Sequence, residues 1–344
     1  MKKRLLIAGL SLLMLTACKQ ETPDTEPIVT EPQTEMTEPV TEPEPETEAE
    51  PVTEAEKIEP LFKDRYPYAI MIDNHPNARP QAGLNDAKII YEAMVEGRIT
   101  RLMMVTDQEK GKVGPIRSAR PLFVDLAYDN QAFYAHVGNY EYVLEHTLGY
   151  EIKDMDQFHH AGNSYHRESH KAAPHNMYGT MEEFYNAAEN EGYELKPESA
   201  YGYSMSNQVQ ERDGGVDATE VSFTYDDYEW QTYYYNKEKE MYEKKINDVV
   251  VTDENTGDPL EIANYILMPM EYYTMSNGEH QAVDWETQEG EAYYFTIGKM
   301  YPITWERSEI GSFLTFKRGD EELVFNPGLL YIQLIPTHRM PELP

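Results

Sequence analysis

The chain has 344 residues, 62 Asp and Glu against 29 Lys and Arg, a net charge of −33 and one cysteine. Such acidity repels the phosphate backbone, so DNA and RNA are excluded as partners. A single cysteine excludes an intrachain disulfide framework.

Lys2, Lys3 and Arg4 precede the apolar run Leu5 to Leu15 and then Leu15-Thr16-Ala17-Cys18. This is the order of a secretion signal: a basic start, an apolar stretch and a small-residue cleavage site. The run is too short to cross a ~30 Å hydrocarbon core as a helix, and no permanent transmembrane helix is expected. Leu-Thr-Ala-Cys resembles the bacterial lipobox, in which the cysteine takes a diacylglycerol and becomes the mature N-terminus. Residues 1–17 are therefore expected to be a signal peptide and Cys18 the lipidation site, anchoring the chain to the extracytoplasmic face of the cell membrane. Acylation of Cys18 would also remove thiolate nucleophiles and cysteine-ligated metal from the chemistry available downstream.

From Lys19 to Pro60 the composition is Glu, Thr and Pro, with Thr-Glu-Pro recurring at Thr25, Thr30, Thr37 and Thr41. Such a stretch buries too little apolar surface to offset its ordering entropy, so residues 18–60 are expected to be the lipidated cysteine followed by a disordered tether from Lys19 to Pro60. Its 42 residues would reach ~35 Å as an ideal coil and ~130 Å as polyproline II, and like charge favours the longer value. Removing its −12 and the +3 of the signal leaves −24 on residues 61–344.

Those 284 residues exceed what one typical core needs, and two domains are expected, 61–200 and 201–344. In the first, Tyr68 to Asp73 reads as a strand, Asn85 to Met94 as a helix and Ile99 to Thr106 as a strand. Ser118 reads as the cap of a helix reaching Tyr128, Ala132 to Val137 as a strand, and Tyr140 to Leu148 and Thr180 to Asn190 as helices. This alternation predicts an α/β layer structure. The second half is a series of short Tyr-, Phe- and Val-rich runs, among them Val221 to Tyr225, Tyr265 to Met268, Leu323 to Phe325 and Leu330 to Ile335. Turn signals at Arg318-Gly319-Asp320 and Asn326-Pro327-Gly328 predict mostly antiparallel β.

Polar strings gather at the ends of the predicted strands of the first domain: Asp73-Asn74-His75 through Arg79-Pro80-Gln81, Thr100-Arg101, and Gly114-Pro115-Ile116-Arg117-Ser118-Ala119-Arg120-Pro121. In α/β sheets ligands bind beyond the carboxyl ends of strands, and arginines suit bidentate recognition of carboxylate or phosphate. The candidate ligand-binding residues are Asn74, Arg79, Glu92, Arg101, Arg117, Arg120, His136 and His175. The competing reading is that the arginines pair with carboxylates such as Glu92, Glu96 or Asp125 and tie layers together. Five histidines fall between His159 and His175, and the His166 to His170 spacing would suit a metal pair on a helix. Gly162, Asn163 and Pro174 instead point to a loop, so a polar recognition loop is favoured and no metal is assigned. Ser118 lacks a nucleophile elbow, acidic pairs such as Asp73 and Glu92 arise by chance in so acidic a chain, and neither a catalytic residue nor a cofactor is assigned.

These strings, with Met71-Ile72-Asp73-Asn74, Tyr91-Glu92, His136-Val137-Gly138 and Ala173-Pro174-His175-Asn176, resemble the YerB-like lipoproteins, a family built from two adjacent domains of unknown function. A weaker match continues through Thr256 to Leu260 and Gly298 to Trp305. The resemblance implies a membrane-anchored protein of the bacterial cell envelope with links to wall-synthesis proteins, and no established reaction. The leading expectation is a non-catalytic envelope lipoprotein that binds a cell-wall component or a wall-synthesis membrane protein through the Arg/His site. The alternatives are a hydrolase acting on peptidoglycan or its peptides, and a solute-binding lipoprotein.

Overall fold

The computed structural model describes residues 56–344 except 98, 147–150, 226–228, 284 and 286–287. The expected signal, Cys18 and nearly all of the tether lie outside the described residues. No helix among the described residues is long and apolar enough to cross a membrane.

The chain is mostly β, organised by a twelve-stranded sheet. Across it, in order, run Glu321–Glu322, Thr315–Arg318, Lys299–Glu306, Glu289–Thr296, Asn264–Met270, Leu330–Pro336, Ile89–Glu96, Ile99–Thr106, Tyr68–Asp73, Phe133–His136 and Lys153–Asp156; Val216–Asp217 adds to Lys299–Glu306. Leu330–Pro336, almost the last element of the chain, lies between Asn264–Met270 and Ile89–Glu96 and is parallel to both. One sheet is thereby continuous through both halves of the sequence. Phe133–His136 and Lys153–Asp156 continue parallel to Tyr68–Asp73.

Both faces of this sheet are covered, and the strand residues divide between them with a period of two. Ala69, Met71, Met103, Val105 and Tyr134 join one core, which receives helix α1 (Pro121–Asp129) through Phe123, Leu126 and Ala127. Ile70, Ile72, Met104, Phe133 and Ala135 join the other, which receives helix α3 (Met181–Asn190) through Phe184 and Tyr185. The same second core takes the inner face of a five-stranded sheet, Glu220–Thr224, Trp230–Asn236, Met241–Ile246 and Val249–Val250, with Glu261–Ile262 paired to Met241–Ile246. A short helix α2, Tyr140–His146, follows Phe133–His136. Antiparallel pairing dominates the second half, as its turn signals predict.

Three expectations are corrected. Asn85 to Met94 is not a helix: a 3-10 turn at Leu84–Asp86 leads into the strand Ile89–Glu96. Ile89, Tyr91, Ala93 and Val95 pack on one core and Ile90 on the other, so burial on both faces erases the polar alternation that marks a half-exposed strand. Ser118 does not cap α1; Arg120, in extended conformation, precedes Pro121 at the helix start. Leu323 to Phe325 lies beyond the strand Glu321–Glu322, and Phe325 makes only an isolated bridge to Met205.

Candidate functional site

Asp73, His136 and Asp156 are the last residues of the three parallel strands Tyr68–Asp73, Phe133–His136 and Lys153–Asp156, and Arg101 lies opposite Asp73 in the antiparallel neighbour. Strand alternation turns all four towards the face that carries α1. The Pro115 to Arg117 segment is laced over them. Pro115 O accepts from Asp73 N, Arg117 N donates to Met71 O, Val137 N donates to Arg117 O, and Ile116 N donates to Met177 O. That lacing brings Arg117 and the loop holding His175 to the same strand end.

Asp73 is 2% exposed. Its Oδ2 accepts from His175 Nδ1 at 2.7 Å and lies 3.3 Å from Arg117 Nε, while Oδ1 caps His75 N. The His75 and His175 rings stack with centroids 4.3 Å apart. Burial, followed by the neighbouring His175, holds the His75 imidazole below the ordinary histidine value.

His136 is fully buried and both its ring nitrogens face acceptors: Nε2 is 2.9 Å from Asp154 Oδ1, and Nδ1 is 3.0 Å from Gly138 O and 3.3 Å from Asp156 Oδ1. Asp156 also accepts from Gly138 N, Phe158 N and His159 Nδ1, which fixes the loop that follows its strand. Arg101 donates to Ser118 O at 2.9 Å, and both Arg101 and Arg120 reach Glu96 at the end of Ile89–Glu96. Burial, then the like charge of Arg117, brings Arg101 down to about 10; burial lowers Arg120 as well.

The remaining candidates sit apart. Glu92 is wholly buried on the opposite face of the sheet, against the five-stranded sheet. Its Oε1 accepts from Asn74, Thr100 and Gln231, and its Oε2 from Lys244, Tyr331 and Gln333. Asn74 Oδ1 accepts from Arg79 and Gln81, and Arg79 forks onto Glu229 at 3.0 and 3.2 Å. Five of the eight candidates, Arg101, Arg117, Arg120, His136 and His175, therefore gather around the strand ends, whereas Asn74, Arg79 and Glu92 join the two sheets. Sequence reading left Asp73, Glu96, Asp154 and Asp156 off its list of site residues. The Asp154-Met155-Asp156 alternation at a strand end was the available signal for two of them.

The sequence of the family described as "Protein of unknown function (DUF3048)" matches this chain twice, its N-terminal domain over residues 52–194 and its C-terminal domain over 219–332. The chain belongs to the DUF3048 family. The curated "Putative lipoprotein YerB" of Bacillus subtilis (strain 168) is 28% identical over 281 residues, covering 81% of this chain and 84% of that protein. The crystal structure of the YerB protein from Bacillus subtilis superposes with a TM-score of 0.69 at 28% identity, over 80% of this chain and 92% of that one. All eight candidate residues fall in the DUF3048 N-terminal segment, while Gln231, Lys244 and Tyr331, which close on Glu92, come from the C-terminal one.

One further polar cluster in this DUF3048 chain has the donor types of a metal centre. Glu168, His170 and Glu254 bring ligand atoms within 4.8 Å of one another. Two ammonium groups already serve them: Lys112 is 2.8 Å from Glu254 and 3.3 Å from Glu168, and Lys171 also contacts Glu254. A set neutralised in this way suits a cation poorly. Burial alone would raise the Glu254 pKa, but hydrogen bonds from Lys112, Lys171 and Tyr178 outweigh it and hold it at about 2, against an ordinary 4.5. The stability this carboxylate contributes is complete above pH 4.5 and is lost as the pH falls towards 2. With partial solvent screening it amounts to about 2 kcal/mol. Acid titration of unfolding should show that loss in the wild type and a flatter profile in Glu254→Gln.

Proposed function

We propose that this chain is an extracytoplasmic lipoprotein, anchored through Cys18, whose strand-end cluster binds a cell-wall component or a wall-synthesis membrane protein. The observation that carries the reading is the convergence of Asp73, Arg117 and His175 at the carboxyl ends of parallel strands. That position is where open α/β sheets expose backbone and side-chain donors to ligands. Arg117 has one edge towards Asp73 and remains about a quarter exposed, so its outer edge is available to an anionic group. His175 donates from Nδ1 to Asp73, which leaves Nε2 for a second partner. The lipoprotein description of the YerB relative agrees with the signal and lipobox pattern at Cys18.

The test is cosedimentation of the full chain with purified peptidoglycan, alongside capture from detergent-solubilised membranes. Arg117→Ala and His175→Ala should each weaken retention by about tenfold, the scale of one lost charge-assisted hydrogen bond. Retention equal to wild type in both variants, with folding verified by circular dichroism, would remove the site.

The 2.7 Å Asp73–His175 pair favours one second reading, a hydrolase in which Asp73 fixes the tautomer of a His175 general base. Incubation with purified wall and mass spectrometry of the supernatant decides it: fragments that vanish in His175→Ala support hydrolysis, and an unchanged wall rules it out.

A further inference from the structure

Ion pairs elsewhere in the molecule show what a closed structural pair looks like here. Arg307 meets Asp129 through Nε and Nη2 at 2.8 and 2.9 Å, and Gly311 N adds a third hydrogen bond to that carboxylate. One guanidinium faces one carboxylate, and the contacts have the lengths of charge-assisted hydrogen bonds.

The Arg101 and Arg120 pair departs from that pattern. Two guanidiniums, with side chains 4% and 6% exposed, share the single carboxylate of Glu96. Arg120 Nη2 contacts Glu96 Oε1 closely, but Arg101 Nη2 stands 3.5 Å from each oxygen, the outer limit of a hydrogen bond. The Nε atoms of both arginines are buried without a hydrogen-bond partner. Buried donors in folded proteins are almost always satisfied, so unmet donors beside surplus positive charge call for an acceptor from outside the chain. Burial, then the nearby Arg120 guanidinium, lowers the pKa of the flanking His280.

Glu96 is the least enclosed member of this group. It ends its strand after a register irregularity, its side chain is 27% exposed, and the adjoining Gly97 has open space around it. The group already seated between the two guanidiniums is a carboxylate, and the planar guanidinium fork matches carboxylate geometry.

We propose that Arg101 and Arg120 form a carboxylate-binding subsite whose resident occupant, Glu96, is displaced by the terminal carboxylate of a peptide ligand. This deepens the binding reading above and rests on it. Glu96 mimics the ligand group, holds two buried cations in place while the subsite is empty of ligand, and withdraws towards solvent when a better-seated carboxylate enters.

The test titrates the full chain and its Glu96→Gln variant with N-acetyl-alanyl-alanine, its C-terminal amide, acetate and inorganic phosphate. The readouts are thermal upshift and the Nε–Hε resonances of Arg101 and Arg120. The dipeptide acid should bind Glu96→Gln at least tenfold more tightly than wild type and move both resonances, while the amide leaves them in place. A response to acetate equal to that of the dipeptide would overturn the peptide assignment, and a stronger response to phosphate would overturn the carboxylate assignment. Should Glu96→Gln fold poorly, the wild type still decides: saturable movement of the two resonances at millimolar dipeptide acid, abolished in Arg120→Lys, is expected, and unmoved resonances refute the subsite. If the fork fails these tests while Arg117→Ala still loses wall retention, only this inference falls; if Arg117→Ala also retains wall binding, the broader reading falls with it.

Discussion

Lys244→Ala is expected to destabilise the folded unit by about 4 kcal/mol, because it strands the Glu92 carboxylate at 0% exposure between two sheets. Burial opposes ionisation of Glu92, yet the Lys244 ammonium and hydrogen bonds from Lys244, Tyr331 and Gln231 more than offset it and hold the carboxyl below its ordinary range. Around this pair every neighbour is engaged. Lys244 donates to Tyr331, Gln333 donates to Gln231 and Tyr225, and the hydroxyls of Tyr233 and Tyr265 donate to Gln333. A fully satisfied polar network of this kind specifies one arrangement of the sheets that carry it, and a half-satisfied one penalises them. The midpoint of thermal unfolding should therefore fall by roughly 10 °C for Lys244→Ala. Glu92→Gln combined with Lys244→Met should cost distinctly less than Lys244→Ala alone, since no charge is then left unpaired. A loss under 1 kcal/mol in the single variant would mean that the carboxyl takes up a proton at little cost, contrary to the network described.

Cys18→Ala is expected to move the protein from the membrane fraction to the soluble extracytoplasmic fraction almost completely. Each buried methylene contributes about 0.8 kcal/mol, so two or three acyl chains hold a protein firmly where one chain binds only marginally. No described helix could substitute for that anchor. Fractionation of cells expressing each form, with incorporation of labelled palmitate as the chemical readout, checks both parts of the expectation. Palmitate label remaining on the alanine form would remove Cys18 as the lipidation site, and membrane retention of an alanine form whose signal has been removed would assign the attachment to protein contacts.

Local chemistry was legible where one residue decides one element. Thr180 to Asn190 reads as a helix, and in the fold Thr180 accepts from Glu183 N and caps α3. Tyr68 to Asp73 and Ile99 to Thr106 are strands because short β-favouring runs bounded by polar residues have few alternatives. Long-range pairing was not legible: His175 meets Asp73 across a separation of 102 residues.

Composition and order thus carried the family resemblance and the β-rich second half. Tertiary structure alone decided which way each charged side chain faces. Glu92 and Arg101, both read as binding residues, lie on opposite faces of one sheet, and Glu92 is spent on Lys244 while Arg101 turns to Glu96. The physical reason is pairing over long distances: a carboxylate is structural or available according to which cation the fold brings to it, and that cation can be 152 residues away.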